Sequence, residues 1–147
     1  MFCKFGKEKL LYKTNNFRVK YGTVDASKLT AIWIDVESWI QPLEPIDFDS
    51  NIRVTRKNII LKLKETLDKS FFSENFIVDL DLRSSGMRLT KKSFMSIQVT
   101  IYPKKIHKFN SDTLMNKIHD VSEDVISVVK NNNFKFYSKK KNELQLS

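Results

Sequence analysis

Residues 30–40 read TAIWIDVESWI, and their side chains alternate between two faces. The aliphatic face carries Ile32, Ile34, Val36 and Ile40. The other face carries Trp33, Asp35, Glu37 and Trp39. A repeat of two residues is typical of a β-strand that has one side on a hydrophobic core. Pro42 and Pro45 end this strand, because proline has no amide hydrogen to donate to a sheet.

The chain before this strand predicts an N-terminal β-hairpin. Residues 9–12 and 17–21 are rich in apolar and aromatic side chains, and they flank Asn15 and Asn16. Two asparagines between such segments suit a tight turn.

The chain after this strand predicts a helix followed by two strands. The helix begins between Ser50 and Thr55 and ends near Ser70. Its apolar stripe consists of Ile60, Leu63, Leu67 and Phe71. Alternating apolar side chains then predict strands at 76–83 and 93–102.

A second amphipathic helix and a final strand complete the pattern. The helix runs to Lys130, and either Ser111 or Asp112 can cap its N-terminus. Residues 134–137 form the last predicted strand. The order is a hairpin followed by β-α-β-β-α-β, which predicts an α+β fold: a two-layer ferredoxin-like sandwich with both helices on one face of an antiparallel sheet.

The length of 147 residues favours one domain with a short extension at each end. We expect a single α+β domain over 1–138, in which 1–28 form the hairpin extension, and a basic C-terminal tail over 139–147. No stretch approaches the roughly 20 apolar residues that span a bilayer, so we predict no membrane contact.

The net charge of +9 is distributed unevenly. Residues 1–30 carry seven basic and two acidic side chains, whereas residues 31–50 carry five acidic and no basic ones. Clustered lysines favour the phosphate backbone of DNA or RNA, although they also serve solubility alone. The candidate nucleic-acid-binding residues are Lys9, Lys13, Arg18, Lys20, Lys104, Lys105, Lys108, Lys139, Lys140 and Lys141.

Aromatic residues on the face opposite the helices predict an interface with another subunit, since exposed apolar patches mark interaction sites. The candidates are Trp33, Trp39, Phe94 and Tyr102. Such aromatics could instead be covered by the N-terminal hairpin.

The same aromatics resemble those of RNA recognition motif domains, which stack bases on an open sheet. Ile32-Trp33-Ile34 is similar to the first motif of that family, but residues 92–97 lack the glycines of the second. Carboxylates on the same face would repel phosphate, which counts against base stacking.

Two acidic pairs, Asp35 with Glu37 and Asp79 with Asp81, look like pairs on adjacent strands. They resemble the carboxylates with which palm-type polymerases and primases hold Mg²⁺. A solvent-facing strand side is also polar at every second position. Mg²⁺-dependent nucleotidyl transfer is therefore kept as a remote alternative, and no metal or cofactor is predicted.

Other catalytic chemistry has little support in the sequence. His107 and His119 are the two histidines, and they lack metal-ligand spacing. Cys3 is the single cysteine and lies outside any predicted rigid element. We therefore predict no catalytic residue and no enzymatic activity.

The function expected from these features is that of a structural or assembly subunit of a larger particle that contains nucleic acid. Tail-terminator rings of phages contain small proteins with the order helix, hairpin, helix and strand, which residues 51–137 follow. The abundance of Lys, Asn and Ile is typical of AT-rich genomes, including those of many phages and viruses. The alternative is a nucleic-acid-binding protein without sequence preference. Either would act in the host cytoplasm or in the virion, beside other protein subunits.

Overall fold

In a computed structural model of the chain, the structure describes residues 4–26, 29–42, 51–67, 76–83, 93–102, 110–131, 134–137 and 144–145. Its elements are β1 (Lys9–Lys13), β2 (Phe17–Ala26), β3 (Leu29–Pro42), α1 (Asn51–Leu67), β4 (Phe76–Arg83), β5 (Ser93–Ile101), α2 (Ser111–Lys130), β6 (Phe134–Tyr137) and β7 (Leu144–Gln145). Each predicted strand and helix has a counterpart. The short strand β7 was not predicted, and the domain boundary at residue 138 stays a prediction.

Five strands form an antiparallel sheet in the order β1-β2-β3-β5-β4. The strand β6 pairs with the last four residues of β3, and β7 pairs with β6. Because β5 occupies one edge of β3, the strands β2 and β6 share its other edge. The prediction of an α+β fold with an antiparallel sheet and two helices is confirmed.

One face of the sheet, here called the inner face, packs against both helices. From the sheet it contributes Val19, Ile32, Ile34, Val36, Ile40, Val78, Leu80, Met95, Ile97, Val99 and Ile101 to one buried cluster. From the helices come Ile59, Leu63, Leu67, Ile118, Val121, Val125 and Val129. The stripe of α1 thus centres on Ile59, while the predicted Ile60 is half-buried. Each fully buried aliphatic side chain contributes about 1.5–3 kcal/mol to folding.

The N-terminus of α2 is capped by Asn110, and the prediction of Ser111 or Asp112 was wrong. The Asn110 side chain accepts a hydrogen bond from the backbone N–H of Thr113 at 2.8 Å. Its backbone is extended, with φ −72° and ψ 163°, as a capping residue requires. Ser111 is already the first helical residue, so its backbone cannot take that conformation.

The N-terminal hairpin extends the sheet beyond β3 and does not fold over its face. A contact with α2 holds β1 in place. The Tyr12 hydroxyl donates to Glu123 Oε1 at 2.9 Å, and the Tyr12 ring stacks on His119 with centroids 5.7 Å apart. Neither helix in the described part of the chain is long and apolar enough to cross a membrane.

Candidate interaction surface on the outer face of the sheet

The face of the sheet opposite the helices, here called the outer face, carries most of the predicted site residues. The pairing of β2, β3, β5 and β4 places them in three rows: Gly22, Trp33, Thr100 and Ile77; Lys20, Asp35, Gln98 and Asp79; Arg18, Glu37, Ser96 and Asp81. All four candidate carboxylates share this face. The prediction that the two acidic pairs lie on adjacent strands was wrong. The strand β5 folds back from β4 and inserts between β4 and β3.

Asp35 and Glu37 are buried, although they lie on the face expected to meet solvent. Asp35 is 2% exposed, accepts a hydrogen bond from Ser96 Oγ at 2.6 Å, and bonds Lys4 Nζ at 3.0 Å. Glu37 bonds Arg18 Nε at 2.6 Å. A buried carboxylate is tolerated only when cations and hydrogen bonds compensate for lost hydration. These contacts supply that compensation.

A third carboxylate joins these pairs into one network. Lys20 Nζ lies 3.2 Å from Glu37 and 3.3 Å from Glu8, and Lys4 Nζ lies 3.6 Å from Glu8. Burial opposes ionisation of Glu8, but the ammonium groups of Lys20 and Lys4 outweigh it and hold the pKa of Glu8 below its usual value. Burial would lower the pKa of Lys20, but Glu37 and Glu8 raise it. With Asp35 and Arg18 the network has three cations and three carboxylates, so it is neutral.

The alternation of Arg18 and Lys20 in the hairpin, opposite Asp35 and Glu37, is the sequence signal that could have predicted this network. It requires pairing β2 with β3 in the right register. Lys4 carries no such signal, because it lies outside any strand.

Residues 4–8, here called the N-terminal strap, cross the outer face and cover Trp33. Trp33 is fully buried, its Nε1–H donates to the Phe5 carbonyl oxygen at 2.5 Å, and Lys4 Nζ lies 4.9 Å from the ring centroid. The indole fits because Gly22 has no side chain, and a Cβ there would overlap Trp33 Nε1. Gly6 has a φ of +68°, which favours glycine, and it packs against the Thr23 carbonyl.

The predicted partner-interface residues therefore differ in how much of their surface is accessible to a partner. Trp33 is covered within its own chain, and the structure leaves it no surface for a partner. Trp39 and Phe94 are half-buried and pack edge to face, with ring centroids 5.3 Å apart. Tyr102 is 38% exposed, and its ring lies 6.3 Å from that of Phe5 in the strap.

Large exposed apolar side chains concentrate on this face. The exposed large hydrophobics in the described part of the chain are Leu10, Val24, Leu61, Ile77 and Tyr102. Leu61 belongs to α1. The other four belong to the outer face. Leu10 lies opposite Lys20, and Ile77 lies opposite Thr100. Val24 is two residues from Gly22 in β2, and the Tyr102 ring contacts Phe5 of the strap.

The predicted nucleic-acid-binding residues are not equally available. Lys9 and Lys13 are exposed on β1, whereas Arg18 and Lys20 are engaged by Glu37. The remaining candidates, Lys104, Lys105, Lys108, Lys139, Lys140 and Lys141, lie outside the described residues.

The two helices carry opposite net charges. This difference was not predicted from the sequence as a feature of a site. The helix α1 contains five basic and one acidic residue, and α2 contains four acidic and two basic ones. On α1, Lys57, Lys62 and Lys64 are exposed and form no ion pair among the described residues. Their positions on one helix, five and two residues apart, were visible in the sequence.

The carboxylates among the described residues are poorly arranged to bind a metal ion. No group of three or more His, Cys, Asp or Glu side chains converges there as a metal site would require. Asp35 and Glu37 face cations of the chain itself, and Asp79 Oδ1 lies 3.3 Å from Arg56 Nη2. The same carboxylates would have to release these partners before binding Mg²⁺.

Comparison of the chain with protein-family models, with curated proteins and with solved structures found no match.

Proposed function

We propose that this chain is a non-enzymatic subunit of a larger protein assembly. The observation that carries the proposal is the outer face, where Leu10, Val24, Ile77 and Tyr102 are exposed around a polar network that is neutral and internally bonded. Exposed apolar groups around a compensated polar centre suit a protein interface, in which charges must lose their water. An active site would need groups that are free to react.

We further infer a ferredoxin-like unit formed by β3, α1, β4, β5, α2 and β6. Neighbouring strands run in the order β6-β3-β5-β4, and each pair is antiparallel. This order supports the predicted two-layer sandwich, extended on one side by the hairpin.

The proposed setting is a particle that contains nucleic acid, such as a phage neck or tail ring, in the host cytoplasm or in the virion. The order of elements over residues 51–137, the basic charge and the Lys, Asn and Ile content support this setting. A subunit in such a particle meets protein neighbours and a phosphate backbone at once.

Sedimentation velocity over a wide concentration range tests the assembly role. We expect the mass to rise with concentration. Val24→Lys, on the outer face, should weaken association, since it places a charge within an apolar contact. Leu61→Lys is the matched control, because Leu61 is 50% exposed on α1, away from that face. A single-subunit mass at every concentration would contradict the proposal.

Sequence-independent binding of nucleic acid is the second candidate function. It is favoured by the unpaired exposed lysines on α1, namely Lys57, Lys62 and Lys64, and by Lys9 and Lys13 on β1. Cations that are already neutralised, such as Arg18, would add little.

Fluorescence anisotropy with a labelled DNA duplex, measured against salt, tests this second function. The logarithm of the affinity should fall with the logarithm of salt concentration by about 0.9 for each phosphate contact. Replacing Lys57, Lys62 and Lys64 with Gln should reduce that slope, and replacing Lys9 and Lys13 reports separately on β1. An affinity that does not change with salt would rule out phosphate binding.

A further inference from the structure

The two end strands of the sheet carry opposite charges. Lys9 and Lys13 are exposed on β1, and Asp79 and Asp81 belong to β4. Among the described residues neither strand has a partner on its outer edge. A strand edge with unpaired backbone groups is a template for pairing with another chain. The sheet therefore has a basic end and an acidic end, and each can extend it.

We propose that copies of this chain join head to tail through these two ends. In this arrangement β1 of one copy pairs with β4 of the next, and the sheet continues from copy to copy. The inference rests on the proposed assembly function and deepens it, because it names a second copy of the chain as the partner and the strand edges as the interface.

Strand direction is consistent with this pairing. Two antiparallel steps separate β1 from β3, and two separate β4 from β3, so all three strands run in the same direction. A neighbour with its outer face on the same side therefore presents its β1 parallel to β4. Pairing of β1 with β1, or of β4 with β4, would bring like charges together, which is unfavourable across strands.

The irregular pairing of β1 determines which of its side chains share the outer face. Leu10 lies opposite Lys20 and Lys13 lies opposite Arg18, with a register shift between them. Lys20 and Arg18 are two residues apart on the outer face. Leu10 and Lys13 are therefore as far apart along the strand as residues i and i+2 of a regular strand, although they are three residues apart in sequence.

Two residues of β4 have the same spacing on the same face. Ile77 and Asp79 lie opposite Thr100 and Gln98 in β5. A parallel alignment that sets Leu10 of one copy beside Ile77 of the next also sets Lys13 beside Asp79. One register thus matches an aliphatic pair and an ion pair together.

The exposure of these side chains gives the contact a driving force. Leu10 is 58% exposed and Ile77 is 43% exposed in the single chain, and both would lose water on pairing. Asp79 is held by Arg56 at 3.3 Å, in a pair whose two side chains are both partly exposed. Such exposed pairs contribute little and exchange readily, so Lys13 of a neighbour can share that carboxylate.

The symmetry that follows is cyclic or helical. A contact between two different surfaces of one chain leaves a free edge on every added copy, and it ends only when the series closes into a ring. The twist of the sheet rotates each copy relative to the one before.

Charge exchange between the two edges tests the pairing of ends. Lys13→Glu alone and Asp79→Lys alone should each weaken association seen by sedimentation, because each sets like charges side by side. An equimolar mixture of the two variants should regain association, and so should the double variant. Equal weakening of the mixture and of each variant alone would overturn the proposal.

Cysteine cross-linking tests the register and the head-to-tail sense. Leu10→Cys and Ile77→Cys are made separately in a Cys3→Ser background. Directly opposite strand residues are about 4.7–4.9 Å apart, within the Cα separation of about 4.4–6.8 Å that a disulfide needs. We expect a covalent dimer from the oxidised mixture and none from either variant alone. Dimers of equal yield in a single variant would indicate two-fold pairing and overturn the proposal.

The outcomes separate this inference from the proposed function. One outcome is that the wild-type chain associates while the charge variants leave association unchanged and the cysteine mixture forms no covalent dimer. In that case the assembly role stands and the head-to-tail pairing is wrong. If the wild-type chain stays a single subunit at every concentration, both fail.

Discussion

Lys20 lies directly opposite Asp35 in the register of β2 and β3, yet its ammonium group bonds the diagonal neighbour Glu37 at 3.2 Å. Asp35 instead bonds Lys4, which is 31 residues earlier in the chain, at 3.0 Å. Long side chains reach diagonal positions across strands, so register alone does not assign ion pairs. The strap supplies a cation that the hairpin strands do not supply.

Replacing Lys4 with Met should destabilise the protein. The change keeps the aliphatic stem but removes the cation of Asp35, a residue that is 2% exposed. A buried charged group that loses its partner costs about 1–3 kcal/mol or more. The free energy of unfolding in urea, followed by tryptophan fluorescence, measures the loss.

Lys7→Met is the control for this change. Lys7 lies in the same strap, is exposed, and forms no ion pair among the described residues. Its substitution should stay within about 0.5 kcal/mol of wild type. Equal effects of the two substitutions would mean that Asp35 does not depend on Lys4.

Replacing Gly22 with Ala should destabilise the fold through Trp33. The added Cβ would overlap the indole Nε1 and would also crowd the Phe5 carbonyl at 2.7 Å. Overpacking of this kind costs about 1–3 kcal/mol. Urea denaturation of Gly22→Ala measures the cost.

A double-mutant cycle with Trp33→Phe identifies the clash. Phenylalanine lacks the indole nitrogen that the new Cβ would meet, so the double variant should lose less than the sum of the two single losses. Strict additivity would mean that the contact with the indole is not the source of the loss, and would leave the Phe5 carbonyl as the group that the new Cβ crowds.

The phenol of Tyr12 should make stability sensitive to alkaline pH. Burial, followed by the hydrogen bond and charge of Glu123, raises the pKa of Tyr12 above its ordinary value of 10.0. A raised folded-state pKa gives a contribution that is fully present below pH about 10 and is lost as the pH rises further. Tyr12→Phe should remove this part of the dependence.

The difference in stability between wild type and Tyr12→Phe, measured at pH 7 and again above pH 10, checks this prediction. At pH 7 the lost hydrogen bond should cost about 0.5–1.5 kcal/mol. The difference should shrink at the higher pH. Lys20 also has a raised pKa, but it is present in both proteins and cancels in the comparison. A difference that grows above pH 10 would contradict the assignment.

Replacing Asp124 with Asn should stabilise the protein at neutral pH. Burial, and then the charges of Asp120 and Glu123, raise the pKa of Asp124 above 3.8. The folded state therefore disfavours the ionised form, and this cost develops as the pH rises through the folded-state pKa. The gain should be present at pH 7 and absent well below pH 3.8, where Asp124 is protonated in both states.

Asp112→Asn is the matched control on the same helix. Asp112 lies in the first turn of α2, where a negative charge interacts favourably with the helix dipole. Its loss should lower stability by about 0.3–1 kcal/mol. Thermal unfolding of both variants at pH 7 should therefore show opposite signs. The same sign for both would mean that burial and the neighbouring charges do not disfavour the ionised form of Asp124 in the folded state.

Periodicity predicted most of the fold. The alternation in residues 30–40 placed Ile32, Ile34 and Val36 on the core side, and helical stripes placed Leu63 and Val125 against them. Such patterns are local and depend on backbone geometry, so one sequence suffices to find them. The N-terminal cap of α2 was missed because Asn110, Ser111 and Asp112 are all good capping residues, and only the backbone conformation selects one.

The burial of Asp35 and Glu37 could not be predicted from the sequence, for a physical reason. Alternating polar residues are typical of a solvent-facing side, and the pattern left open whether another segment covers it. Burial depends on segments distant in sequence, here the strap and β2, and their approach leaves no periodic signal. The neutrality of the network depends on the same long-range contacts.

The sequence by itself determined the order of strands and helices, the residues of the inner face and the overall basic charge, because each follows from local spacing or composition. Only the tertiary structure decided that β5 separates the two acidic pairs, that Lys4 bonds Asp35, and that Trp33 lies beneath Phe5 in the space left by Gly22. Those features require residues far apart in the chain to meet in one register, and strand register is set by the packing of the whole sheet. The strand of residues 30–40 holds the core on one face and a bonded charge network on the other.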